Sequence, residues 1–242
     1  MDVQPLTIGL LGGMSWESTV PYYQVINRSV AARLGGLHSA RLVLYSVDFE
    51  DIEALQAAAE WDRAGELLAD AARMLCNAGA DFLVLCTNTM HKVVPAIEAA
   101  VDLPILHIAD ATAAAVREAG IGRVGLLGTR FTMEQDFYRG RLEERHGIEV
   151  LVPGEDERAE VHRVIYGELC RGQFVPESRQ RCRRIVDGLI ARGAAGVILG
   201  CTEIGLLLRT GDASAPLFDS ARIHAEAAAL HALGGPGRQI VG

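Results

Sequence analysis

At 242 residues the chain can form one large domain or two small ones with well-buried cores, and its composition, half hydrophobic and 22% charged, is that of an ordinary globular protein. A net charge of −8 argues against nucleic acid or an anionic membrane surface as the main partner. The five cysteines, at 76, 86, 170, 182 and 201, are odd in number and scattered, with no Cys-x-x-Cys or His-x-x-x-His pair, so neither a disulfide framework nor a metal site is expected. The start Met1-Asp2-Val3-Gln4-Pro5 has no basic segment followed by an apolar one. No apolar run approaches the roughly 18 residues of a membrane span. A reducing cytoplasm is the expected location, with no nucleic acid and no membrane as partner.

Strand-like and helix-like stretches alternate, the pattern of a parallel α/β sheet. A buried strand is predicted over 6–11, closed by Gly12-Gly13 in a tight turn. Val20, Tyr23, Ile26, Val30 and Leu34 then recur at helical spacing and predict one apolar face, with Pro21 tolerated in the first turn. A strand over 40–47 follows. Next comes a helix over 60–78 with Leu67, Leu68, Ala71, Met74 and Leu75 inward, ended by Gly79. A strand over 82–85, a helix over 91–100, and the stretch 103–108 opening the next unit complete the first half. A helix over 111–119 and a strand over 122–127 begin the second. Helices over 133–146, 158–171 and 178–192 and strands over 149–151 and 197–199 continue it. The late Pro216-Leu-Phe-Asp219 echoes Pro104-Ile-Leu-His107 and is expected to return to the first lobe with the Ala-rich helix after it. The expected lobes are therefore 1–104 plus 212–242, and 105–211, with a frayed tail at 234–237.

One strand end occurs twice. Gly79-Ala-Asp-Phe-Leu-Val-Leu-Cys-Thr-Asn-Thr89 aligns with Gly193-Ala-Ala-Gly-Val-Ile-Leu-Gly-Cys-Thr-Glu203 at an offset of 193 − 79 = 114, which sets Thr87, not Cys86, opposite Cys201. Ile8-Gly-Leu-Leu-Gly-Gly13 likewise recurs as Val124-Gly-Leu-Leu-Gly-Thr129, at 124 − 8 = 116. Two like lobes, each ending a buried strand in a thiol or hydroxyl, point to a site in the cleft between them, because ligands of parallel sheets bind at the strands' carboxyl ends.

Cys201 stands at such an end, flanked by Gly200, Thr202 and Glu203, where the thiol is expected to be accessible and a following helix N-terminus would favour its thiolate. Cys86 is expected to pack behind its strand, since adjacent strand residues point to opposite faces. Thr87, Asn88 and Thr89 offer hydroxyl, amide and backbone donors suited to a carboxylate, and can also cap the next helix. Gly12-Gly13-Met14-Ser15 lacks the spacing and lysine of a nucleotide loop and suits a small carboxylate instead. Thr129 holds the corresponding turn of the second repeat. Cys76 and Cys182 read as packing residues, Cys170 as a candidate to approach the cleft, His91 as a capping residue. Arg179, Arg181, Arg183 and Arg184 read as a solvated helix face.

Gly12-Gly-Met14, Thr87-Asn-Thr-Met-His91 and Gly200-Cys-Thr-Glu203 together resemble the aspartate/glutamate racemase family, over nearly the whole chain. The family's usual first motif is Cys-Asn-Thr-x-His; here Thr87 takes the cysteine's place, with Cys86 one step early. That departure is similar to the L-aspartate/glutamate-specific subgroup, whose acid/base pair is threonine and cysteine. Ser15-Trp-Glu-Ser18, Ser46-Val-Asp-Phe49, His107-Ile-Ala-Asp110 and Thr132-Met-Glu-Gln-Asp-Phe-Tyr138 are similar to the same subgroup. The resemblance implies two pseudo-symmetric α/β lobes, no cofactor, a homodimer, and an acidic amino acid as substrate. It implies Cys201 as the base on the L face and Thr87 as the group on the opposite face. Met14, Asn88, Thr89, Thr129 and Thr202 are the implied substrate contacts. Gln56 takes the contacting role where the family's arginine near residue 53 is absent, and Cys170 stands where many aspartate racemases carry a lysine. Two other readings fit the same residues: a related isomerase or decarboxylase using one cysteine, recognisable by CO2 release, and a catalytically silent amino-acid binder.

Overall fold

The computed structural model describes residues 4–234, so the expected frayed tail beyond Gly234 lies outside the described residues. The chain divides into two compact units. The first is the chain up to His107 together with the chain from His224 onward; the second runs from Ile108 to Ile223.

In the first unit β1 (Ile8–Gly12), β2 (Leu42–Ser46) and β3 (Phe82–Leu85) form a parallel sheet in the order β2-β1-β3. Every residue of β1 and β3 is buried, as expected of strands covered on both faces by their own crossover helices, Trp16–Leu34 and Trp61–Asn77 among them. In the second unit β4 (Arg123–Gly128), β5 (Glu149–Leu151), β6 (Val197–Gly200) and β7 (Leu217–Asp219) are parallel in the order β5-β4-β6-β7. The first three strands of this sheet thus repeat the order of the first sheet.

The duplication holds in register. Gly9 of β1 pairs with Leu83, and Gly125 of β4 pairs with Val197. The first members are 125 − 9 = 116 residues apart and the second 197 − 83 = 114. These are the two offsets of the repeats. Carried along the strands, Leu85 corresponds to Leu199, Cys86 to Gly200 and Thr87 to Cys201.

Several elements differ from expectation. Strand β7 pairs with β6 in the second sheet, so the stretch expected to reopen the first lobe at 212 stays in the second unit until Ile223. Residues 105–107 stay with the first unit, Ile105 bridging to Leu83. On the first helix Ser18, Thr19, Tyr22, Ile26 and Val30 are buried, while Val20, Tyr23 and Leu34 are exposed. The face is turned because Thr19, not a larger apolar residue, docks the first turn: its hydroxyl accepts from Gly13 N at 2.9 Å and donates to Ser15 O at 3.0 Å. Met74, expected inward, is exposed, and Ala64, Gly65 and Ala72 take the buried positions of its helix. A helix over Phe49–Ala57 was not expected. The expected helix 91–100 is a 3₁₀ turn, Thr89–Val93, followed by one α-turn, Val94–Glu98. The expected 133–146 helix breaks into Arg130–Glu134 and Arg139–His146, and that over 158–171 ends at Gly167. Arg179 is bound to Asp212 at 2.7 Å, an ion pair within the second unit.

Gly13 is the one glycine whose conformation the turn after β1 demands. Its φ is +92°, and a Cβ would fall on the Val47 backbone, whose N–H donates to Gly12 O at 3.0 Å. Gly13→Ala should therefore cost about 1–3 kcal/mol in backbone strain and a similar amount, about 1–3 kcal/mol, in overpacking. Urea unfolding measures it; an unchanged midpoint would contradict this account of the turn.

Candidate active site

In the first unit the ladder ends where Cys86 N donates to Leu11 O at 2.9 Å. The chain then leaves β3 through Thr87 and Asn88 into the 3₁₀ turn. Thr87, Asn88 and Thr89 are all buried. His91 closes this turn twice: its backbone N–H donates to Asn88 O at 3.1 Å, and its ring Nδ1 lies 2.8 Å from Thr87 O. Gln56 joins the same turn through Met90, with Nε2 2.9 Å from Sδ. Met14, also buried, follows the glycine turn at the end of β1, the strand beside β3. Cys86 is fully buried with Sγ 3.9 Å from Val84 O, and burial holds its thiol proton firmly.

In the second unit β6 ends at Gly200. A Cβ there would meet Leu126 and the Leu127 carbonyl, so the glycine lets β6 lie close against β4 immediately before Cys201. The turn Cys201–Glu203 leads to the short helix Ile204–Leu207. Cys201 Sγ–H donates to Glu203 Oε2 at 3.1 Å, and Thr202 Oγ1 donates to the same oxygen at 2.7 Å. Thr129 caps the helix Arg130–Glu134; its Oγ1 accepts from Thr132 N at 3.3 Å and is hydrogen-bonded to Thr132 Oγ1 at 3.1 Å.

The expectation of an accessible, acidified thiol is not met. Cys201 is 5% exposed, and burial first, then the negative charge of Glu203, then Cys170, push its pKa well above the ordinary thiol range. The group is a thiol at neutral pH, hydrogen-bonded to the Glu203 carboxylate. In the sequence Glu203 is only a polar neighbour of Cys201, and nothing in its residue type marks it as a site residue. The signal was its spacing: two positions after the cysteine, a turn brings the carboxylate back onto the thiol. The first unit thus gathers Thr87, Asn88 and Thr89 in one turn with Gln56 attached to it, and the second gathers Cys201, Thr202 and Glu203 in another.

Replacing Glu203 by Gln removes both the charge and the accepting carboxylate that hold the thiol proton. Alkylation of Cys201 by iodoacetamide at about pH 8 should then speed up roughly threefold or more, since only the thiolate reacts. An unchanged alkylation rate would show that Glu203 does not control the thiol.

Two duplicated parallel α/β units, each ending its third strand in a hydroxyl or a thiol, define a class of protein, and comparison with known proteins agrees with it. Residues 11–228 match the Asp/Glu/Hydantoin racemase family, and the chain belongs to that family. A solved structure from Yersinia pestis, provisionally assigned as an Asp/Glu racemase, is 58% identical with a TM-score of 0.87, covering 94% of this chain and 99% of that one. An aspartate racemase homologue from Pyrococcus horikoshii OT3 is 35% identical with a TM-score of 0.78, covering 93% of this chain and 98% of that one. A glutamate racemase of Streptococcus pyogenes serotype M3 is 29% identical over 136 residues, 52% of this chain. The chain spans about half the length of such curated relatives, 46% in that case. No helix among the described residues is long and apolar enough to cross a membrane.

Proposed function

We propose that the protein is an amino-acid racemase that inverts the α-carbon of acidic amino acids, aspartate or glutamate, by two-base proton transfer without a cofactor. The observation that carries the reading is the equivalence of Thr87 and Cys201: each is the second residue past the corresponding point of the third strand in two copies of one sheet. Membership in the racemase family and the aspartate and glutamate racemases among the relatives support the substrate class.

Inversion without a cofactor needs one group to take the α-proton and another to return one on the opposite face. Cys201 is the base for the L-enantiomer. Its own proton passes to Glu203, at 3.1 Å, and the thiolate left behind takes the α-proton. Thr87 donates its hydroxyl proton to the carbanion, giving the D-enantiomer, and the enzyme is reset as Thr87 regains a proton and Glu203 releases one through solvent. With no cofactor to delocalise the charge, donors aimed at the substrate carboxylate stabilise it as it becomes enediolate-like. Asn88 and Thr89 supply side-chain and backbone donors, and the Thr202 and Met14 backbones further N–H groups. Thr129 and Gln56 complete the proposed contacts, Gln56 held by Met90. The same reading takes the protein as a cytoplasmic homodimer.

Chiral chromatography tests the reaction. After dialysis against EDTA and in the presence of aminooxyacetate, L-aspartate or L-glutamate should still drift to an equal mixture of enantiomers. Loss of inversion under these conditions would contradict cofactor independence, and CO2 release in its place would establish the decarboxylase reading.

A further inference from the structure

We infer that His91 is a positioning residue for Thr87, its Nδ1–H pinning the carbonyl of the Thr87–Asn88 peptide; the role rests on the racemase reading above. A carbonyl oxygen only accepts, so the 2.8 Å contact between His91 Nδ1 and Thr87 O requires the proton on Nδ1. The backbone N–H of the same residue holds Asn88 O at 3.1 Å. One side chain and its own amide therefore fix two successive carbonyls of the turn that carries Thr87, Asn88 and Thr89.

The ring is in turn held in place. His91 is 2% exposed and packs edge-on against His107, with ring centroids 4.4 Å apart, and against His224 at 5.9 Å. His224 is fixed at both nitrogens. Nε2 donates to Leu106 O at 2.7 Å, and Nδ1 is hydrogen-bonded to the Tyr22 hydroxyl at 2.9 Å. These residues all belong to the first unit. The cluster is a buried brace behind the turn, and its outer end is the Thr87 carbonyl.

The consequence lies in peptide geometry. In a trans peptide the C=O and the following N–H point in opposite directions. Fixing the Thr87 carbonyl on the imidazole therefore aims the Asn88 N–H the other way and fixes the backbone from which the Thr87 side chain springs. Past the last ladder bond, at Cys86 N, no strand pairing does this for Thr87. A proton donor misplaced by about 1 Å costs on the order of 10²-fold in rate.

The test uses two amides of different reach. Asn places a donor nitrogen where Nδ1 stands, and Gln places one where Nε2 stands. We expect His91→Asn to keep inversion within about threefold of the wild type, and His91→Gln and His91→Phe to lose roughly 30-fold or more. In D2O with an L-substrate, the Gln and Phe variants should also wash out more α-proton per inversion, because Cys201 still acts while Thr87 is misplaced. Equal losses in Asn and Gln, or exchange and inversion falling in step, would overturn the role. If a variant does not fold, ¹⁵N NMR of the wild-type imidazole decides: Nδ1 protonated supports it, Nε2 alone protonated overturns it. A wild-type protein that never inverts the substrate defeats the racemase reading; inversion in the wild type with Asn and Gln alike defeats the role of His91 alone.

Discussion

Cys201→Ala should reduce inversion of L-aspartate and L-glutamate by about 10³-fold or more, within the range that general acid–base groups contribute. The other thiols are placed differently, Cys76 in the helix Trp61–Asn77 of the first unit. Cys86 is fully buried in the first unit and holds its proton, and Cys182 is buried as well, with its pKa pushed up to about 11 by burial first. Cys170 lies near enough to Cys201 to disfavour its thiolate, but stands in a 3₁₀ turn before Gly172 rather than at a strand end. The loss should appear in turnover, since in the proposed mechanism the thiol takes the reacting proton and does not hold the substrate's carboxylates. It should also appear without loss of fold, because alanine leaves only a small cavity where Sγ stood. Circular dichroism and urea unfolding of the variant separate the two. A variant that keeps a tenth of wild-type turnover would remove Cys201 from the reaction.

Thr87→Cys should raise turnover of the D-enantiomer roughly tenfold or more. A thiol ionises near 8.5, whereas a threonine hydroxyl ionises only far above the physiological range and is a poor base for taking a proton. The hydroxyl can still deliver its proton to a strongly basic carbanion, so the wild-type enzyme should be lopsided at saturation and faster with L. The equilibrium between enantiomers is one to one, so kcat/KM must be equal in the two directions in the wild type and in the variant alike, and any difference between L and D turnover is matched by the ratio of their KM values. Thr87→Ser keeps the hydroxyl and should stay within about tenfold. Cys86→Ala should cost about 1–2 kcal/mol of stability and little turnover. Unchanged D turnover in Thr87→Cys, or a Cys86→Ala variant as inactive as Cys201→Ala, would place the wrong neighbour at the reacting centre.

The register that chooses Thr87 over Cys86 was legible because buried parallel strands keep a strict period of two and pair along one line. A repeat in sequence therefore becomes a repeat in pairing, with Gly9–Leu83 matched by Gly125–Val197. The first helix was misread for a physical reason. Hydrophobic periodicity weighs Val20, Tyr23 and Leu34, but Ser18 and Thr19 dock it through hydroxyls and short reach. The helix Phe49–Ala57 escaped notice because only Ile52 and Gln56 are buried, too few positions to set a period. Strand β7 was assigned to the wrong lobe because a short Pro-Leu-Phe-Asp echo records local chemistry and carries no information about which sheet edge is free. Glu203 and His91 lay in plain view in the sequence. What gives them roles is a turn that returns a carboxylate to Cys201 and a 3₁₀ geometry that returns an imidazole to Thr87, and neither follows from residue type alone.

Proton NMR of L-glutamate and L-aspartate in D2O, with the wild-type protein beside Cys201→Ala, tests the two-base reading most directly. Loss of the α-proton signal together with growing optical inversion is expected in the wild type, and neither in the variant. Exchange without inversion would remove Thr87 as the second acid, and inversion that persists in Cys201→Ala would contradict the account at its centre.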